Sequence, residues 1–362
     1  MKLLDKYLLK QFARHYLTVA SGFLAIYLLV DFFEKIDNFT SKGKSLGLAM
    51  KFFMLNIPFI IDQLSPILIL LSGIITLGII NHSNELNALK AGGIPLAKIV
   101  RPLLLGGLLL TGVFFGAAQW LLPYTVPAAS AIWDQQVKGK LPLGIYRNGR
   151  YYYKGVEGFY SFERRDLKNL QFENFSYSKW DTDYNTKALL TADKAQWDEK
   201  RKMWLFSVVQ IQERQDSGRY HIENFDQREM QLPETPIDFV VPENQTVQQS
   251  LTGLYREIGK SKTEYQTNKA LTDFLSRISY LLLGLPLLIL GLPTLLYCYQ
   301  KWGRDLYIAI PASCGIAFLA WGIWGALQSL AGAGYLPPLI AATTIHLVFT
   351  VAGLWLLRKE DK

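Results

Sequence analysis

Covalent chemistry needs a nucleophile beside a base, or a metal held by several donors, and neither is easily assembled from these residues. Four histidines, His15, His82, His221 and His346, are all the imidazoles in 362 residues. Hydropathy places them in different compartments or at different depths, which argues against a shared metal. Cys298 and Cys314 fall in or beside apolar runs and give neither a disulfide framework nor ligand spacing. No G-x-S-x-G, H-E-x-x-H or phosphate-binding P-loop occurs. The chain is therefore expected to be no enzyme, to lack an ATPase site, and to carry no cofactor or metal of its own.

A more informative stretch is NHSNELNALKAGG, residues 81–93, lying between two strongly apolar segments. Ser83 or Asn84 offers a helix start, and Glu85 suits the first turn, where a carboxylate meets the positive end of the helix dipole. Leu86 and Leu89 make a small apolar face, Lys90 sits late, Gly92 and Gly93 supply the stop, and Pro95 reinforces it. The spacing predicts a helix over 83–92, about two turns, too short to stand alone in water. Two readings stay open on pattern: an interfacial cap over a bundle, or a docking piece through which a partner delivers force.

The elements that position this helix are membrane spans. Half the residues are hydrophobic and 19% are charged, which suits a membrane protein with one sizeable water-exposed domain. The net charge of +8 comes with positive residues flanking apolar runs, so it reads as a topology signal rather than nucleic-acid binding. The basic, amphipathic lead has no convincing cleavage site after it and is read as part of an uncleaved first span. Apolar cores run over 16–30, about 48–80, about 99–122 and about 278–300. Residues 306–357 hold no Asp, Glu, Lys or Arg, and AGAGYLPP at 331–338 divides them into two more. The reading is a membrane α-helical bundle of six spans with an inserted, mostly β water-exposed domain. Spans one to three occupy 1–123, the β domain with its linking helix 124–269, and spans four to six 270–362.

Charge orients the spans. The N-terminus (Lys2, Lys6, Lys10, Arg14), the loop after span two (Lys90, Lys98, Arg101), the loop after span four (Lys301, Arg304 against Asp305) and the tail (Arg358, Lys359, Lys362) are each mildly positive. They alternate as cytoplasmic faces should. Both termini are thus expected on the cytoplasmic side, with 124–269 outside. There, GRYYYKGVEGFYSF (149–162) reads as strands, and 187–214 as two strands joined by the turn DEKRK, with Trp204, Phe206 and Val208 alternating toward one face. SGRYHIENF (217–225) continues the pattern, Pro233, Pro236 and Pro242 mark an irregular stretch, and 250–279 reads as a helix capped by Ser250 or Thr252. Such a domain either encloses a lumen for an acyl chain or packs an ordinary core.

Within the spans, Asp62 between Pro58 and Pro66 would be costly facing lipid and is expected to face the bundle or water. Gly112 and Gly116 form a G-x-x-x-G, a sign of close helix contact.

Four stretches carry a resemblance: DKYLLKQF (5–12), VDFFEKIDNF (30–39), PFIIDQLSPILILLSGIITLGIINHSNELNALKAGG (58–93) and GYLPPLIAA (334–342). They resemble the lipopolysaccharide export permeases, the YjgP/YjgQ or LptF/LptG family, over nearly the whole chain, and the resemblance implies a bacterial inner-membrane protein whose inserted all-β domain is jellyroll-like and periplasmic. The opening and the VDFFEKIDNF segment look more like the LptG type than its LptF sister. SNELNALKAGG resembles the family's coupling helix. The resemblance implies a sister LptF-like permease, a dimer of LptB-like ATPase subunits that hold ATP and Mg, an LptC-like single-span protein, an LptA-like periplasmic bridge, and lipopolysaccharide as cargo. By position it implies that Glu85 faces the ATPase cleft with Leu86, Leu89 and Ala91 as apolar neighbours, and that Gly92 closes the helix. It implies a cavity lined by spans one and five, with Phe32 and Phe33 as candidate acyl neighbours or as interface anchors. LptG-type members place lysines in the region matching DFFEKIDN. Here Asp31 and Asn38 stand there, leaving Lys35 as a rim charge or a phosphate partner, with Lys42, Lys44 and Lys51 near that level. Two other classes compete: a secondary transporter, disfavoured by the lack of mid-membrane charge beyond Asp62, and an envelope scaffold or sensor whose β domain binds lipid.

Overall fold

A computed structural model describes residues 3–138, 145–147, 150–155, 157–163, 171–181, 186–199, 201–215, 219–236, 239, 245–260, 264–302 and 306–360. Pro242, Arg304, Asp305 and the end residues Lys2 and Lys362, used above, lie outside them, as does Lys200 of the charged turn. The chain divides into two compact units, one helical (Met1–Ala129, Thr246–Ile258, Thr267–Lys362) and one mainly β (Ser130–Gln245, Gly259–Gln266).

Among the described residues, six helical stretches are long and apolar enough to cross a membrane. Helix α1 spans Leu3–Ser41 and α2 Leu46–His82, and the two-turn α3 spans Glu85–Ala91. The third span starts as α4, Leu96–Gly116, and continues through a π-helical turn at Ala117–Leu121 into α5, Leu122–Ala131. After the β unit come a single turn α6 (Gln245–Gln248), then α7 (Leu251–Lys260), α8 (Glu264–Leu282), α9 (Gly284–Trp302), α10 (Leu306–Gly332) and α11 (Pro338–Glu360). Of the helix expected over 250–279, α7 and α8 are described, and 261–263 between them lie outside the described residues. Ser250 caps α7, its Oγ accepting from Gly253 N at 3.1 Å. Thr252 is instead tied to Gln119 of the third span, whose amide donates to its hydroxyl at 2.8 Å.

Helix α2 is the axis of the unit. Ile60, Leu68, Leu70, Ile74 and Leu77 are wholly buried, and Leu70, Ile74 and Leu77 share one continuous core with Leu288 and Leu292 of α9. Helix α1, by contrast, leaves Leu17, Ile26, Leu29, Val30 and Phe33 more than half exposed, an apolar surface that only lipid or another chain can cover. The expected close contact at Gly112 and Gly116 is not made within this chain: among the described residues nothing lies within 4 Å of a Cβ placed at Gly112, and only Trp120 of the same span does at Gly116. The small residues used for close approach sit one turn earlier, Gly106 under the ring of Phe12 and Gly107 against Leu288.

The β unit is one antiparallel sheet in which each strand pairs with its sequence neighbour: β1 (Ile145–Arg147), β2 (Arg150–Lys154), β3 (Phe159–Glu163), β4 (Gln171–Trp180), β5 (Thr186–Asp198), β6 (Met203–Arg214) and β7 (Tyr220–Met230). The jellyroll-like expectation therefore meets a simple meander, without a crossover among the described strands. One face carries a core of aromatic rings, with Tyr160, Phe162, Phe172, Phe175, Trp204, Phe206 and Phe239 all under 3% exposed. This is a packed interior. Its polar groups are satisfied: Trp204 Nε1 donates to Glu234 O at 2.9 Å, and the Tyr160 hydroxyl donates to the Glu234 carboxylate. Burial first, and then that carboxylate, push the Tyr160 phenol well above its ordinary range.

Side-chain alternation breaks along one line across the sheet. Phe172 and Phe175 face inward on β4, Ala192 and Ala195 on β5, Phe206 and Val209 on β6. Each pair is separated by two outward residues instead of one. The pairs align in register, Phe172 with Ala195 and Ala195 with Phe206, then Phe175 with Ala192 and Ala192 with Val209. Asn174 (φ 48°) and Val208 (φ 53°) hold left-handed backbone on this line. Val208 is therefore not the third member of the Trp204–Phe206 face: it points outward, 61% exposed, and Val209 takes its place. A β-branched residue in this region is strained by about 1–2 kcal/mol. Val208→Gly should stabilise the β unit by about 0.5–1 kcal/mol, the relief of strain less the entropy cost of glycine. The urea midpoint for protease protection of this unit in the detergent-solubilised chain measures it, and Val208→Ile should show no gain.

Candidate functional site

Helix α3 follows α2 after only Ser83 and Asn84. Ser83 closes α2, its N–H donating to Ile79 O at 2.9 Å. Asn84 starts α3 from a left-handed conformation (φ 61°) with no side-chain cap. The helix is thus Glu85–Ala91, two residues shorter at its start than 83–92, because α2 uses Ser83 for its own end. Glu85 is exposed but fixed: the Tyr7 hydroxyl donates to one carboxylate oxygen at 3.1 Å and the Ser83 hydroxyl to the other at 3.0 Å. Tyr7 had no sequence signal, since it lies 78 residues away.

The apolar face of α3 turns inward. Leu86 is 2% exposed within the bundle core, and Leu89 is half-buried against it with Ile94. These two residues anchor the helix to its own chain. Outward it shows Glu85, Asn87, Ala88, Lys90, Ala91 and Gly92. The stop is a Schellman turn: Ile94 N donates to Leu89 O at 3.1 Å and Gly93 N to Lys90 O at 2.9 Å. The left-handed residue of that turn is Gly93 (φ 77°), while Gly92 keeps an ordinary φ of −76°. Closure of the helix thus belongs to Gly93, not to Gly92.

Toward the other end of α1, Lys35 is partly buried and paired with a neighbour on its own helix. Its Nζ lies 2.6 Å from Asp31 Oδ1 and 5.2 Å from the centre of the Phe52 ring, and its side chain is 22% exposed. Phe32 is half-buried against Phe53, at 5.5 Å between ring centres, and Phe33 is exposed. Leu29, Phe32, Phe33, Met50, Phe53 and Met54 line a wholly apolar hollow of about 560 Å³ between α1 and α2. Lys42, Lys44 and Lys51 are exposed.

A third constellation lies inside the bundle, on one turn of α8. Arg277 grips Asp62 of α2 with both guanidinium nitrogens, at 2.9 Å each, and the two side chains are 6% and 2% exposed. Asp62 therefore faces the bundle. The Tyr280 hydroxyl donates to Gln63 O of α2. Ser279 donates to Ala342 O of α11 at 2.8 Å, lies 2.8 Å from His346 Nε2, and accepts from Trp324 Nε1 of α10 at 3.1 Å. Residues 277–280 thus join three other spans. Sequence pointed to Asp62 alone; Arg277 sits at the polar margin of its span, where a basic residue reads as an ordinary flank.

A family model described as "Lipopolysaccharide export system permease LptF/LptG" matches residues 6–359. No curated protein matches the chain.

Substitution separates the two glycines of the turn. Gly93→Ala should loosen α3 by about 1–2 kcal/mol, the cost of a Cβ in left-handed backbone, and Gly92→Ala by close to nothing. Amide hydrogen exchange of residues 86–91 in the solubilised protein reads this directly.

Proposed function

The chain belongs to the lipopolysaccharide export system permeases of the LptF/LptG family, non-enzymatic membrane components of lipopolysaccharide transport, and from that premise we propose that it is an LptG-type permease of an ATP-driven extractor. DKYLLKQF and VDFFEKIDNF support the LptG assignment over LptF. ATP and Mg are bound by a separate dimer of LptB-like subunits, and an LptF-like sister forms the other half of the membrane assembly. An LptC-like protein and an LptA-like bridge receive the lipid. The N- and C-termini and α3 face the cytoplasm, and the β unit lies in the periplasm.

The work is physical. Withdrawing acyl chains from a bilayer costs roughly 0.8 kcal/mol per CH₂, so a multi-chain lipid does not leave at a useful rate unaided. Closure of a cavity between two permeases would drive it out. The exposed apolar faces of α1 and of α10, where Phe318, Leu319 and Trp321 are over half exposed, suit lipid and a sister subunit. The hollow at Phe32 and Phe33 suits an acyl chain, and a phosphate that reaches Lys35 meets an ammonium already paired with Asp31.

The observation that carries the reading is α3: two turns anchored inward by Leu86 and Leu89, presenting a carboxylate held at both oxygens. Glu85→Arg, on an exposed site that the bundle does not need, should leave the protein folded. It should lower association with the ATPase, and ATP-driven lipid export, by about tenfold or more, the effect of setting like charges or an unpaired group in a docked interface. Copurification and export that survive Glu85→Arg combined with Asn87→Arg would contradict the coupling role of α3.

A further inference from the structure

The chain has one bidentate ion pair buried between its spans among the described residues, and it is placed where two long elements cross. Helix α2 runs from Leu46 to His82 and hands directly on to α3. Asp62 lies 20 residues before that handover, about 30 Å at 1.5 Å per residue. Helix α8 starts at Glu264, and the segment Gly259–Gln266 groups with the β unit. Arg277 is thus the point at which the element carrying α3 is fastened to the element through which the chain returns from the β unit.

The fastening is directional. A guanidinium fork on a carboxylate fixes both the distance and the plane of its partner, whereas apolar contact permits sliding. The neighbouring residues of the same turn point the same way: Tyr280 grips the carbonyl of Gln63, next to Asp62, and Ser279 holds α11 and α10 through Ala342, His346 and Trp324. We infer that Asp62 and Arg277 are positioning residues for energy transfer: they make α2 and α8 move as one body, so that displacement of α3 reaches the far half of α8. This rests on the permease reading above.

A pair that merely balances two charges can be replaced by apolar side chains of similar size with little loss, and often with a gain, in stability. That provides the test. The complete complex, with sister permease and ATPase, is reconstituted in proteoliposomes, and ATP hydrolysed and lipopolysaccharide transferred to an acceptor are both measured per assembled complex. Asp62→Leu combined with Arg277→Met should assemble and hydrolyse ATP within about twofold of wild type, yet transfer at least about fivefold less lipid per ATP. Arg277→Lys, a single-point contact, should lower the same ratio by a smaller factor. An unchanged ratio in the apolar pair overturns the inference. If that pair fails to assemble, Arg277→Lys decides: a lowered ratio supports the inference and an unchanged one overturns it. Wild-type complex that transfers no lipid on ATP would overturn the permease reading itself.

Discussion

A bilayer core offers no water to hydrogen-bond a stranded polar group, and the arrangement of spans in this chain follows from how its interior polar groups are paired. Asp62 could not remain charged against lipid. Arg277 meets it with two bonds, and the next residues of α8 satisfy Gln63, Ala342, His346 and Trp324. Satisfying these groups forces α2, α8, α10 and α11 together on one turn. The apolar core, from Ile69 to Leu77 of α2 against Leu288 and Leu292, then packs α9 onto the same axis. Large apolar side chains are left uncovered on α1, on one face of α10, and on the third span and α11. A chain with a rigid axis and greasy flanks is suited to act against a second such chain and the lipid between them.

The short helix α3 makes sense in that setting. It is too short to hold itself together, so it spends Leu86 and part of Leu89 on its own bundle and leaves a polar surface outward. An interfacial cap would need the same anchoring, so anchoring alone does not separate the two roles. The carboxylate of Glu85, clasped by Tyr7 and Ser83 at the surface, goes beyond what capping requires.

Much of this was legible in sequence where one physical signal dominates. Six spans follow from hydropathy and from the uncharged run divided at AGAGYLPP. The β5–β6 hairpin follows from its charged turn, and α3 from its stop residues. What escaped involves contacts or backbone states without a local signature. Strand β4 carries Phe172 and Phe175 three residues apart, a spacing that does not read as a strand until Asn174 is seen to take a left-handed turn. Strict alternation puts Val208 on the wrong face for the same reason. Gly92 and Gly93 are chemically identical, and only φ tells which closes the helix. Arg277 and Tyr7 gain their roles from partners 215 and 78 residues away. Lys35, basic and near a span end, resembles a rim charge until Asp31 and Phe52 are seen around it.

The central claim is that α3 meets the cytoplasm and is moved there by a partner. Cysteine accessibility tests it most directly, in a background with Cys298 and Cys314 replaced by serine and one cysteine placed at Asn87. A membrane-impermeant maleimide should label that cysteine in inverted inner-membrane vesicles and not in intact spheroplasts, and docking of the ATPase should protect it. Labelling from the periplasmic side would contradict the account outright.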